Sequence, residues 1–178
     1  GCNITIPHKV NAMAYVDWVH PLAQRIGAIN TIVVQPDGAL HGFNNDGFGF
    51  IQSLLEAYPS WHANTGPIVV IGAGGAARAI VVSLLDAGAT DIRVVNRTHS
   101  KAEEFAQEFG SAISYVEWHA REDVLCDAAL LINTTSQGMH GQAPLDLSLS
   151  QLPKHTLVAD AVYNPLETPL LKEARLRG

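Results

Sequence analysis

The stretch Gly72-Ala73-Gly74-Gly75-Ala76-Ala77 follows the apolar run Ile68-Val69-Val70-Ile71 and opens a segment rich in Ala, Val and Leu. It satisfies the pattern G-x-G-x-x-G/A, with Ala77 in the third place. Each small residue has a task there: a tight turn, a close backbone approach to a pyrophosphate, and close helix–strand packing. The helix that follows would offer unpaired N–H groups and about half a positive charge to phosphates. At the next strand end, about 20 residues on, a carboxylate would hold a ribose 2′-hydroxyl. This chain has Asn96-Arg97-Thr98 instead. A guanidinium grips phosphate bidentately, the Thr98 hydroxyl adds a donor, and Lys101 adds a second cation. The expected cofactor is NADP rather than NAD. A solvated turn capped by Thr98 or Ser100 is the plainer alternative.

Two further charges stand at strand ends. Lys9 closes Gly1-Cys2-Asn3-Ile4-Thr5-Ile6-Pro7-His8-Lys9, in a Pro-anchored and otherwise apolar turn. Asp46 lies in Gly42-Phe43-Asn44-Asn45-Asp46-Gly47, among glycines and amides rather than on a charged face. Other chemistry is poorly supported. The 8 His show no H-x-H or H-E-x-x-H spacing, so no metal site is expected. There is no G-x-S-x-G nucleophile elbow. The glycosylation patterns at Asn3, Asn96 and Asn133 are coincidental without a secretory route. Cys126 is expected as a packed small hydrophobe.

Elements must hold these groups in place. After a linker-like stretch, Tyr58 to Pro67, strands at 68–71, 91–95, 112–116, 129–132 and 157–161 are separated by segments that include helices at 76–87 and 100–109. In the second helix Ala102, Phe105, Ala106 and Phe109 share one face. Such alternation implies βαβ crossovers and an α/β, doubly wound parallel sheet. Before the linker, a strand ends at Ile6 and a helix follows Pro7. Ala28–Val34 forms a strand, Pro36-Asp37-Gly38 a turn, and about Asp46 to Ala57 a helix. Trp18 is expected on the helix after Lys9, and Trp61 and Trp118 at domain edges. The expected division is residues 1–62 and 63–178.

The 178 residues, 47% apolar, suffice for one domain or two small ones. The 11 basic against 17 acidic residues give a net charge of −6, and the lack of a strongly basic stripe argues against a dedicated nucleic-acid binder. No apolar run is long enough for a membrane span. Two Cys, with no secretory signal ahead of the first element, place the chain by default in the cytoplasm. The first strand-like run and the last helical pattern both look cut, as in a piece of a longer protein.

The sequence resembles shikimate dehydrogenases. The matching stretches are collinear: GCNITIPHK (1–9), GAINTIV (27–33), GFNNDGFGF (42–50), GAGGAARA (72–79), NRT (96–98), NTTSQGM (133–139) and DAVYNPLETPLL (160–171). The resemblance implies a Rossmann-like NADP domain plus part of an α/β substrate-binding domain, with the site in the cleft between them. It implies reversible NADPH-dependent reduction of 3-dehydroshikimate to shikimate in aromatic amino-acid biosynthesis, by a monomer or homodimer. By this match Lys9 is the general acid/base and Asp46 its partner, while Thr5, Asn30 and Tyr163 bind substrate. Gly72, Ala73, Gly74, Gly75, Ala76, Asn96, Arg97, Thr98 and Lys101 bind NADP. Thr134 and Thr135 approach the cofactor, and Ala161 lies near the nicotinamide. Two departures stand out: Asn45 replaces the family's usual Thr before the aspartate, and the serine pair and the late Gly and Gln of the substrate site are missing. A quinate or aminoshikimate dehydrogenase, or a catalytically silent NADP-binding regulatory module, are the competing readings.

Overall fold

A computed structural model describes residues 1–178, with the side chains of His99, Lys101 and Ala102 outside the described residues. The chain forms two compact units. The first comprises Gly1–Trp61 and Gly75–Ala87, the second His62–Gly74 and Gly88–Gly178. Unlike the single cut expected at 62/63, this division places the helix after the glycine loop in the first unit.

The first unit holds a four-stranded sheet of β1 (Cys2–Asn3), β2 (Trp18–Val19), β3 (Thr31–Val34) and β4 (Leu40–Phe43) in the order β1-β3-β4-β2. β3 and β4 are antiparallel, pairing Thr31 with Phe43 and Ile32 with Gly42. Their hairpin turns at the expected Pro36-Asp37-Gly38, where Asp37 accepts from Ala39 N–H. Its helices are α1 (Pro21–Ile26), α2 (Asp46–Ala57) and α3 (Gly75–Asp86).

Three expectations for this unit need correction. The first strand is Cys2–Asn3 and does not run on to Ile6, because the chain already turns at Thr5, whose carbonyl accepts from His8 N–H. No regular helix follows Pro7. Tight turns lead to a five-residue 3₁₀ helix, Asn11–Tyr15, and Trp18 lies in β2. Asp17 explains the change: its N–H donates to Leu40 O while its carboxylate accepts from Leu40 N–H, drawing the next two residues alongside β4. The strand expected over 28–34 begins only at Thr31, since Ile29 N–H is diverted to Lys9 O.

The second unit matches the expected α/β plan. Five strands, β5 (Ile68–Ile71), β6 (Ile92–Asn96), β7 (Ile113–Glu117), β8 (Leu130–Asn133) and β9 (Leu157–Asp160), are parallel and ordered β7-β6-β5-β8-β9. The chain runs outward from β5 to β7, then returns to place β8 on the other side of β5. Such a reversal opens a crevice at the carboxyl ends of the two central strands. All of β5 and β8 is buried, as expected of strands covered on both faces. Val69, Ile71, Leu131 and Leu149 share one core cluster, where each buried aliphatic side chain contributes about 1.5–3 kcal/mol. Helices α4 (His99–Phe109) and α5 (Pro169–Arg177) complete the unit. Phe105 is buried in α4 and its ring lies 4.8 Å from that of Phe109. Cys126 is exposed, contrary to expectation: it follows a 3₁₀ turn at Asp123–Leu125, in which Leu125 takes the interior position.

Candidate active site

Lys9, Asn30 and Asp46 converge in the first unit. Lys9 Nζ donates to Asp46 Oδ2 at 2.5 Å, and Asn30 Nδ2 donates to Asp46 Oδ1 at 2.7 Å. Both carboxylate oxygens are therefore held. The Lys9 and Asp46 side chains are 17% and 25% exposed, which strengthens the pair relative to one in open solvent. Asp46 begins α2, where the helix N-terminus favours a negative charge. Asn30 Oδ1 accepts from Thr31 Oγ1 and Asn45 N–H, which fixes the orientation of its amide. Thr5 lies just past Ile4, whose N–H bonds Asn30 O.

Asn44 is a participant that sequence reasoning missed. It is buried, donates to Ala28 O at 3.0 Å and accepts from Asp46 N–H at 3.0 Å. It thereby ties the start of α2 to the strand-like segment before Asn30. An Asn two residues ahead of a helical Asp is an Asx-turn signal, and that was the available clue.

Helix α3 supports the same assembly. Gly47, the second residue of α2, lies against Ala79 O and Ser83 Oγ of α3, with no room for a Cβ. Arg78 Nε donates to Ile26 O at 2.5 Å, satisfying a carbonyl at the end of α1. At the start of α3, a Cβ on Gly75 would sit 3.0 Å from Lys9 Cβ.

In the second unit the glycine loop leaves the carboxyl end of β5. Gly72 has φ +109°, and a Cβ there would lie 2.6 Å from Thr134 Oγ1. Around Gly74 a Cβ would meet nothing within 4 Å, so the backbone stands open to a ligand. Asn96 Nδ2 donates to Thr98 O at 3.0 Å and folds the turn that presents Arg97. Thr98 occupies the cap position of α4, but its side chain makes no capping bond. Lys101, expected to add a second charge, lies outside the described side chains.

Thr134 Oγ1 donates to Ile71 O at 2.7 Å, and Thr135 Oγ1 to Asn133 Oδ1 at 2.8 Å. Both hydroxyl protons thus serve the loop itself. Ala161 N–H bonds Asn133 O, and Tyr163 is 82% exposed. Tyr163 and Ala161 belong to the second unit, apart in the chain's division from Lys9 and Asp46. The group that joins these loops is one the sequence did not reveal, Asp160. Its Oδ1 accepts from Asn133 Nδ2 and Val162 N–H, both at 2.9 Å, and its Oδ2 from Thr168 Oγ1 at 2.7 Å. Burial pushes the Asp160 carboxyl above the usual aspartate range, with those three bonds opposing the shift. Thr168, fully buried, also accepts from Leu171 N–H and caps α5. Among the described residues no cluster of His, Cys, Asp or Glu could hold a metal ion.

Comparison with known proteins accords with this geometry. Residues 1–32 match the family described as the shikimate dehydrogenase substrate binding domain, and residues 56–140 match shikimate / quinate 5-dehydrogenase. These spans contain Thr5, Lys9, Asn30, the glycine loop, Arg97, Thr134 and Thr135, while Asp46, Ala161 and Tyr163 lie outside them. The shikimate dehydrogenase (NADP(+)) of Paramagnetospirillum magneticum is 49% identical over all of this chain and 64% of its own length. The chain thus spans about 64% of that relative. A shikimate 5-dehydrogenase from Thermus thermophilus, solved with NADP(H) and shikimate, aligns with TM-score 0.83 at 39% identity, covering 99% of this chain and 63% of its own. A quinate dehydrogenase from Corynebacterium glutamicum, solved with NAD, aligns with TM-score 0.87 at 32% identity, covering 99% and 64%. With two family matches in chain order and relatives that share about half its residues, the chain belongs to the shikimate/quinate dehydrogenase family.

Proposed function

We propose that the protein catalyses the reversible NADPH-dependent reduction of 3-dehydroshikimate to shikimate. The observation that carries this reading is the Lys9–Asp46 pair, with Asn30 on the second carboxylate oxygen. A binding module needs no such fixed, half-buried ammonium. When bound, NADPH supplies a hydride from the nicotinamide. The Lys9 ammonium stabilises the negative charge that develops on the substrate carbonyl oxygen and donates the proton to it. Asp46 orients that ammonium and shares the substrate hydroxyls, while Thr5, Asn30 and Tyr163 match positions that bind substrate hydroxyls or carboxylate in the family.

The nucleotide fits the residues present. The φ of Gly72 and the open space around Gly74 suit a backbone approached by a pyrophosphate. Ala73, Gly75 and Ala76 complete the turn into α3. Arg97, with Thr98, would hold the 2′-phosphate, and Asn96 shapes their turn. Ala161, Thr134 and Thr135 would flank the nicotinamide. Two free cysteines fit a reducing, cytoplasmic setting. No described helix is long and apolar enough to cross a membrane.

Lys9→Ala, made in the intact protein as its gene encodes it, tests the assignment. A positioned general acid contributes about 10²–10⁴-fold, so kcat should fall by that order with NADPH affinity unchanged. A variant with near-normal kcat would overturn the mechanism. Quinate is the second reading. It is favoured by the quinate dehydrogenase neighbour and by Asn45, which sits at the head of α2 without a side-chain capping bond. The ratio of kcat/KM for shikimate and quinate in the same assay separates the two.

A further inference from the structure

The nucleotide-binding pattern G-x-G-x-x-A constrains Gly72, Gly74 and Ala77, but it leaves position 75 free. The glycine at that position therefore needs another explanation. Gly75 begins α3 and, with Lys9, belongs to the first unit. A Cβ at residue 75 would lie 3.0 Å from Lys9 Cβ, 3.5 Å from Lys9 Cδ and 3.6 Å from Ala28 Cβ. The first distance is well inside van der Waals contact, and the atom concerned is not the free end of a flexible chain. Lys9 Cβ is fixed by a backbone whose carbonyl accepts from Ile29 N–H at 2.9 Å. At the other end of the side chain, Nζ is held by Asp46. Lysine 9 is thus secured at both ends, and its stem lies over the first turn of α3.

We infer that Gly75, besides its place in the glycine loop, is a positioning residue for Lys9. The missing side chain leaves room for the lysine stem, and the stem sets where Nζ meets Asp46. The three glycines have separate tasks: Gly72 makes the turn beside Thr134, Gly74 stands open, and Gly75 receives the lysine. This inference rests on the proposed role of Lys9 as proton donor.

Gly75→Ala moves the lysine stem or the start of α3 by a few tenths of an ångström. Displacement on the scale of 1 Å costs about 10²-fold in rate, so a loss of about 10-fold in kcat is expected. NADPH Kd, measured by fluorescence titration, separates this loss in kcat from any loss in cofactor binding. The decisive measurement is a double-mutant cycle with Lys9→Ala in the intact protein. If Gly75 acts through Lys9, adding Gly75→Ala to Lys9→Ala changes the residual kcat by no more than about twofold. Independent, multiplying losses overturn the inference. So does a Gly75→Ala protein with normal kcat, or one whose loss lies wholly in NADPH binding. A Gly75→Ala protein with no cooperative melting transition overturns it too, since the glycine would then serve the fold rather than the lysine. If Lys9→Ala alone retains activity, the proposed function fails. If Lys9→Ala is inactive while Gly75→Ala is unaffected, only the positioning role fails.

Discussion

At the residue scale, two kinds of group divide the labour: charges that meet ligands and polar groups that hold loops. In the proposed reading Arg97 is of the first kind. Charge-assisted hydrogen bonds contribute about 1.5–3 kcal/mol, so Arg97→Ala should raise the NADPH KM by about 10–100-fold while leaving the NADH KM within about twofold. Equal effects on both cofactors would mean that Arg97 does not touch the 2′-phosphate. Asp160 is of the second kind, and its raised pKa makes a signed prediction. A carboxyl whose folded pKa lies above its unfolded value binds its proton more tightly in the native state. Its contribution to stability is full in acid and is lost as pH rises from about 4 through the folded pKa. Asp160→Asn cannot titrate. Urea denaturation at pH 4 and pH 7 should show wild type losing stability relative to the variant on going to pH 7. Parallel behaviour at the two pH values would contradict the shift. Lys9, Asp46, Arg97 and the glycines could be picked out in the sequence because motif and spacing mark them. Asn133, Asp160 and Thr168 lie in matched stretches, but their roles were not legible there, because each is defined by a partner brought near only by folding.

At the element scale, the helices and the longer strands of the second unit follow from periodicity and glycine punctuation, and α2 falls where expected. The two-residue strands β1 and β2 were invisible, since a strand that short has no period to detect. Backbone bonds made by Asp17 and Ile29 to distant segments decided them. The packing of α2 on α3 permits a test with an internal control. In a helix, Gly→Ala usually stabilises, by about 0.5–1 kcal/mol. Gly49, with nothing within 4 Å of an added Cβ, should behave that way. Gly47→Ala should reverse the sign and cost about 1–3 kcal/mol, because the new methyl meets the Ala79 carbonyl and Ser83. It should also lower kcat by displacing the neighbouring Asp46. Thermal melts of the two variants side by side check this, and stabilisation by both would refute close helix contact at Gly47.

At the scale of the whole molecule, a net charge of −6 makes the cations at Lys9 and Arg97 local features rather than parts of a basic surface. The division into two units was only partly legible. A proline- and glycine-containing linker marks one passage between them, but nothing in the sequence of α3 says that its contacts lie with the first unit. The strand order β7-β6-β5-β8-β9 has a consequence for biosynthesis. As the polypeptide leaves the ribosome, β6 can join β5, β7 can join β6, β8 can take the vacant side of β5, and β9 can follow β8. No strand has to be inserted between two already paired. The first unit has the opposite history: α3, which underlies Lys9 and Asp46, is synthesised only after β5. The nascent chain therefore carries both Lys9 and Asp46 before it has the helix on which they rest, and their arrangement is completed only when that later segment has been made.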